Sequence, residues 1–396
     1  MTGSGPPPEP LFTPRFFVMC GYTLTTFLSV FMLLPVAPFR IMELGGTKVA
    51  AGMFLGMLTY LSALSAPLTG AIADRIGKRR MLQLSAFALA GFSAAYAATD
   101  SYVALPILAA VQGLFWSGLL SASSAYMADV LPESRRAEGF AYWGLATVAA
   151  IAIAPGLGFA VYRHGWLALC ATMGALQVLL LVIALRLDET PVRARLFEDR
   201  FLSLNVIEWR VLAASFTLFL YSFGYGGLTS FVAVYADENG VSPRGFYFMA
   251  LALAIAVTRL ALGRLADRVG HREVLLPSLA LVSAGLALLA FGGTRGWMLA
   301  SAAVFGLGFG IAQPVYVALV MGQVDPRRRG AAFGGILAAF DTGIGTGSVA
   351  VGWMADRFGF EAAFGACAVL ASLSIPYFLL AERKLLRRSR EQNGSL

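Results

Sequence analysis

Of the 22 acidic and 30 basic residues in the chain, two stand where a charge is hardest to keep. Asp341 interrupts the apolar run AAFDTGIGTG, and Arg259 interrupts AVTRLALGR. A lone charge at the middle of a bilayer costs on the order of 3 kcal/mol, so a chain that keeps two must use them or let them neutralise each other. Arg259 lies eight residues before Asp267, about 12 Å along a helix, and Asp341 lies eleven residues after Gly330, about 16 Å at the same rise. Their similar depth predicts that they pair or share a water-filled cavity. Two chemistries fit. In one, Asp341 takes up and releases a proton, its ion pair with Arg259 breaks as it does so, and a proton gradient is coupled to movement. In the other, the pair is a permanent staple of the C-terminal helices and never titrates.

The rest of the chain supplies the setting those charges need. The 396 residues are 58% hydrophobic and 13% charged, against roughly 45–50% and 25% in a soluble domain. Apolar stretches of about 20 residues, the span of a hydrocarbon core, recur twelve times. They cover residues 16–38, 49–73, 81–99, 102–128, 140–162, 166–186, 210–236, 246–266, 274–293, 297–321, 331–355 and 361–381. Continuous apolarity without alternation makes them helices, not barrel strands.

The net charge of +8 is a topology signal, not a nucleic-acid one, because of where the cations fall. Twenty-three of the 30 Lys and Arg lie on the side shared by the N-terminus, the loops after even-numbered spans and the C-terminus. Six lie opposite, and Arg259 is the one left inside a span. The positive-inside rule then expects both termini in the cytoplasm of a multi-pass inner-membrane protein. Cys20, Cys170 and Cys367 all fall in spans, which implies buried thiols and not a disulfide framework. His164 and His271 sit in loops on opposite faces, so no metal site is expected, and no cofactor motif is visible.

Almost the same phrase is written at GAIADRIGKRR, residues 70–80, and at GRLADRVGHRE, residues 263–273, with an echo at GWMADRFGFEA, residues 352–362. Gly70 to Gly263 is a shift of 193, Arg136 to Arg329 repeats it, and Gly158 to Gly352 is 194. The constant offset predicts two copies of one six-helix unit, at 15–186 and 210–382. A cytoplasmic linker over 187–209 joins them, a disordered tail covers 1–14 and a basic tail covers 383–396. Within each half the glycine–arginine signal appears once on each face, as three-helix units of inverted topology would give.

On these residues the chain resembles the major facilitator superfamily over nearly its whole length. Gly70, Asp74, Arg75, Gly77, Lys78 and Arg79 match that family's signature between its second and third helices. Gly263, Asp267, Arg268, Gly270 and Arg272 form the second copy. The resemblance implies an all-α fold of twelve transmembrane helices in two pseudo-symmetric six-helix bundles. It also implies that Asp74 clasps the start of the eleventh helix while the arginines tie into neighbouring helix ends, latching a gate. Against the proton-coupled exporters of that family, Gln112 and Gly113 match but Ala109 replaces an arginine. In AIAPGLGF, Pro155 and Gly158 are kept, a helix-five kink, while Ala154 and Phe159 depart.

By the same resemblance the cavity-facing helices supply Tyr22, Thr26, Gln112, Trp116, Tyr221, Tyr225, Gln313 and Tyr316. Aromatic rings with a few amides and hydroxyls suit an apolar or amphipathic substrate, uncharged or weakly charged. The absence of a second cavity cation argues against an anion. SFGYGG, residues 222–227, reads either as a point where the seventh helix unwinds or as close packing. GMFLG, residues 52–56, and GIGTG, residues 343–347, are small-residue faces expected to meet where the halves close. The reading is a monomeric secondary transporter with alternating access, exporting drug-like or amphipathic molecules against protons. An importer or facilitator of a sugar or small organic acid is the alternative. No nucleophile–base set is visible, which argues against an enzyme.

Overall fold

The computed structural model describes residues 10–189, 209–262, 268–324 and 329–382, which are helical with no strand among them. The helices are α1 (Pro14–Leu33), α2 (Ala37–Glu43), α3 (Lys48–Ile76), α4 (Lys78–Ala97), α5 (Ala104–Val130), α6 (Arg136–Tyr162) and α7 (Trp166–Leu185). After the gap come α8 (Trp209–Ala214), α9 (Phe216–Glu238), α10 (Phe246–Leu262), α11 (His271–Ala290), α12 (Arg295–Met321) and α13 (Arg329–Ala381). Helix α13 is two arms, because Gly359 sits between them at φ 83°, ψ 167°.

Among the described residues, nine helical stretches are long and apolar enough to cross a membrane. One is α1 with α2 together, and one is the 50-residue Ala332–Ala381, long enough for two crossings. Phe246–Ala261 is a shorter apolar helix, and α4 opens on Lys78, Arg79 and Arg80, which makes it more polar. The expected first span breaks at Leu34–Val36, where Pro35 and Pro38 interrupt the hydrogen-bond ladder. Two expectations at the edges change. Leu11 is buried and the Thr13 hydroxyl caps α1 by accepting from Phe16 N at 3.2 Å, so packed chain begins before residue 14. At the other end of the half, Leu187 is buried, and the linker from 190 onward lies outside the described residues, as does the basic tail.

The packing order repeats. In the first half α1 lies on α6, α3 on α5 and α4 on α7. In the second, α9 lies on the first arm of α13, α10 on α12, and α11 on α13. A Cβ at Gly113 would meet the Leu58 carbonyl, and one at Gly306 would meet the Leu251 carbonyl, the same contact displaced by 193. Gly77 and Gly270, also 193 apart, both take positive φ at the turn into the next helix. Arg79 Nη2 donates to Leu185 O at 2.8 Å at the end of α7, while Arg272 pairs with Glu382 at 3.5 Å at the end of α13. Lipid-facing surface is apolar, as with Leu64, Phe87, Leu253 and Leu260, all exposed.

Candidate functional site

The halves meet along two seams. In the first, α3 crosses α13: the Ser348 hydroxyl donates to Gly52 O at 2.8 Å, and a Cβ at Gly56 would stand 2.8 Å from Val349 Cγ2. Further along, Tyr60 and Thr346 share a hydrogen bond of 2.8 Å, and beyond them Ser62 faces the Asp341 carboxylate. In the second seam α10 crosses α6. A Cβ at Gly245 would stand 2.7 Å from Gly156 Cα, and the last contact is Arg259, whose Nη1 is 3.4 Å from the Cβ position of Gly144. Lys48 to Ser62 and Gly245 to Arg259 are each fourteen residues, about 21 Å of helix. Both seams therefore run from one end of the molecule to mid-depth and stop at a charge.

That end is shut. Lys48 Nζ pairs with Glu238 across the halves at 2.9 Å and stands 4.4 Å from the Phe360 ring centroid. The Arg244 guanidinium lies 4.7 Å over Phe39 and 5.9 Å from the Phe159 centroid. At the opposite end nothing among the described residues comes within 4 Å of a Cβ placed at Gly70 or at Gly334.

The expected Arg259–Asp341 pair is not formed. Arg259 Nε donates to Gly310 O at 3.2 Å, and Tyr221 and Tyr225 are its electrostatic neighbours. Asp341 faces Ser62 instead. Helix α10 packs on α12 and α6, while the first arm of α13 packs on α9 and α3. The two charges therefore border the space between the halves from different sides. Both keep partial solvent exposure inside the helical assembly.

The other expected cavity residues divide. Tyr225 stacks on Phe309 with centroids 4.3 Å apart, Phe305 lies 5.3 Å beyond, and Tyr221 approaches Phe309 at 5.6 Å and Phe340 at 5.9 Å. The Tyr221 hydroxyl is sealed and has no hydrogen-bond partner. Gln313 is half-buried, and Trp116 meets Phe27 edge-on at 5.2 Å. Four residues pack within their own bundles. Tyr22 donates to Leu82 O at 3.4 Å, and Thr26 bonds back to Tyr22 O at 2.9 Å. Gln112 accepts from Tyr96 at 2.6 Å, and Tyr316 sits edge-on to Phe378 at 6.4 Å. Helical periodicity alone cannot separate a face turned to the cavity from one turned to a neighbouring helix.

Three glycine expectations are resolved by contacts. Helix α9 is continuous through residues 222–227, with Gly224 against Leu286, Gly226 against the Ile344 backbone and Gly227 against Val351, so this stretch is close packing. Of the three glycines in 343–347 only Gly345 faces α3, beside Thr346; Gly343 and Gly347 admit the α9 backbone at Phe219 and Phe223. Pro155 lies inside an unbroken α6 and, with Tyr225 and Thr229, borders a cavity of about 20 Å³, space for a water. Gly158 lets the Met32 backbone close on α6.

In the signature, Arg75 is exposed, Lys78 pairs with Asp129 at the end of α5 and Arg79 holds the end of α7. Arg268 is exposed. The Asp74 side chain, Gly263 and Asp267 lie outside the described residues. Ser62, Phe305 and Phe309 escape a reading of the sequence. The signal was present in the continuation of the small-residue stripe Gly52, Gly56, Thr59, Ser62 in steps of four, three and three, and in two phenylalanines one helical turn apart.

A helical assembly with repeated halves, seams that close at one end and charges around a central space is the architecture of a membrane transporter. The family model described as Major Facilitator Superfamily matches residues 19–256 and 214–395. The chain belongs to this superfamily and is a secondary transporter of small molecules in a membrane. It is 26% identical to an uncharacterised MFS-type transporter of Burkholderia pseudomallei, covering 94% of this chain and 93% of that one. It is 22% identical to one of Methanocaldococcus jannaschii, over 87% and 92%. Among solved structures, the nucleoside transporter NupG superposes with a TM-score of 0.76 at 14% identity, covering 93% of this chain and 99% of that one. The human organic anion transporter MFSD10 gives 0.72 at 20%, covering 93% and 100%. At such identities these two structures report the fold alone.

Proposed function

We propose that the protein is a proton-coupled exporter of amphipathic small molecules in the plasma membrane, with twelve spans, both termini cytoplasmic and a monomer as the working unit. The observation that carries the coupling is the position of Asp341. It lies on the α13 side of the α3–α13 seam, facing Ser62 of the other half, and it keeps partial exposure. An ionised carboxylate there accepts the Ser62 hydrogen bond; a protonated one can donate to a different acceptor and release the seam. One proton would thereby change how strongly the halves adhere at mid-depth. With the positive-inside rule, the end carrying Gly70 and Gly334 faces the cytoplasm, which is where an exporter loads. Tyr225, stacked on Phe309 and backed by the fully buried Phe305, supplies an apolar wall for the cargo.

Asp341→Asn in proteoliposomes tests this. The expected outcome is loss of transport driven by a pH gradient, with substrate binding and counterflow exchange retained, because Asn keeps the hydrogen-bonding shape and cannot titrate. Unchanged gradient-driven transport in Asp341→Asn rejects the coupling role. Accumulation along with protons, in place of extrusion against them, assigns import.

A further inference from the structure

Arg259 is a cation without an anion. Its Nε donates to Gly310 O, and no carboxylate pairs with its guanidinium among the described residues. A guanidinium carries five N–H donors in a planar fork, so four remain for something else. Arg259 keeps partial exposure, so its Nη nitrogens are open to an incoming group. Leaving such a cation unpaired at mid-membrane is costly, and the natural complement to a free guanidinium fork is an oxyanion. Next to the fork, Tyr225, Phe309 and Phe305 form a wall of stacked rings with centroid spacings of 4.3 and 5.3 Å. The site thus pairs one anion-binding fork with one apolar face.

We propose that Arg259 binds the head of the transported molecule, and that the cargo is an amphipathic monoanion, an aromatic carboxylate in the simplest case. From sequence an anion is disfavoured only while Asp341 consumes the cation, and in the structure Asp341 is occupied by Ser62. One fork satisfies one carboxylate, so dianions are excluded by the lack of a second cation. The Asp341 carboxylate, on a different wall of the same space, repels excess negative charge and leaves the proton and the cargo on separate groups. Arg259 also reaches across to Gly144 of the other half, so a bound anion would sit at the end of the second seam as Ser62 and Asp341 sit at the end of the first.

This inference rests on the transporter reading above but is tested by binding alone. The full chain in nanodiscs is titrated with 4-phenylbutyrate, 4-phenylbutanamide and 4-phenylbutylammonium, which share one apolar body and differ in charge. The acid is expected to bind about ten-fold tighter than the amide, the scale of a charge-assisted pair, and the ammonium weakest. Arg259→Gln should erase the preference for acid over amide while leaving amide binding intact. Arg259→Lys should keep part of it, since the charge survives and the fork does not. Equal binding of acid and amide by the unaltered protein overturns the proposal without any variant, as does tighter binding of the ammonium or no binding of the acid. Proteoliposome flux of the same three compounds separates the two readings. Acid bound selectively but never moved rejects transport of this cargo and keeps the site; amide moved as well as acid rejects the anion site and keeps the transporter.

Discussion

Gly77 joins α3 to α4 at φ 94°, ψ 144°, a region open to glycine and nearly closed to L side chains. A Cβ there would also run into the Glu189 carboxylate. Gly70, seven residues earlier, lies inside α3 with nothing within 4 Å of its Cβ position. The two glycines of one motif are therefore predicted to respond oppositely to alanine. Gly77→Ala should destabilise the protein by about 1–3 kcal/mol through backbone strain. Gly70→Ala should stabilise this state by up to about 1 kcal/mol through helix propensity. Thermal unfolding of the detergent-solubilised variants checks both signs, and a matching loss at the two positions would show that the motif acts through something other than backbone geometry. At this scale the sequence was legible in residue type and not in partner. Asp341 and Arg259 stood out because charge is rare in an apolar run. Their partners, Ser62 and Gly310 O, carry no such mark, and depth along a helix says nothing about which side of a cavity a side chain borders.

The helix pair α3 and α13 shows what a small-residue face does. Gly52 meets the Ser348 backbone, Gly56 meets Val349 and Gly345, and a Cβ at Gly345 would stand 2.6 Å from Thr59 Oγ1. Contacts this close belong to a state in which these helices touch, and the state in which they part does not need them. Gly52→Val is thus predicted to penalise the closed seam by about 1–3 kcal/mol, the cost of overpacking a tight contact. The folded protein would pass to the form open at the other end. Thiol labelling of a cysteine at Thr346 in a background lacking Cys20, Cys170 and Cys367 reads this directly: labelling should rise at least several-fold in Gly52→Val. Unchanged labelling would mean the seam tolerates the methyls and is not the closing surface. Apolar spans and the glycine faces of α3 and α13 could be read from composition and spacing. The rotation of each helix could not, which is why Tyr22, Thr26, Gln112 and Tyr316 turned inward to their own bundles, and why residues 222–227 proved to be a packed, unbroken helix.

Across the whole molecule, the 193-residue repeat makes the two seams counterparts: α3 corresponds to α10, and α6 to the first arm of α13. A rocking motion that opens one seam must open the other, since both lie between the same two bodies, and the charges at their inner ends then move together. What holds the shut end is a small set of contacts at helix ends, among them Lys48–Glu238 and Arg244 over Phe39. An exposed pair of this kind is worth little on its own, which suits a latch that must release in every cycle. Tying it permanently should therefore stop the cycle without unfolding the protein. In a cysteine-free background, Lys48→Cys with Glu238→Cys, bridged by a short bifunctional thiol reagent, is predicted to abolish net transport. Ligand binding from the open end should persist with unchanged affinity, and a reducible bridge should restore flux when cleaved. The same reagent on Gly70→Cys with Gly334→Cys should bridge poorly in the resting protein, since neither position has a neighbour within 4 Å. It should bridge better when a ligand drives the opposite state. Transport that continues with the Lys48–Glu238 positions fully bridged would show that the halves do not separate at that end, and alternating access by rocking would have to be abandoned for this chain.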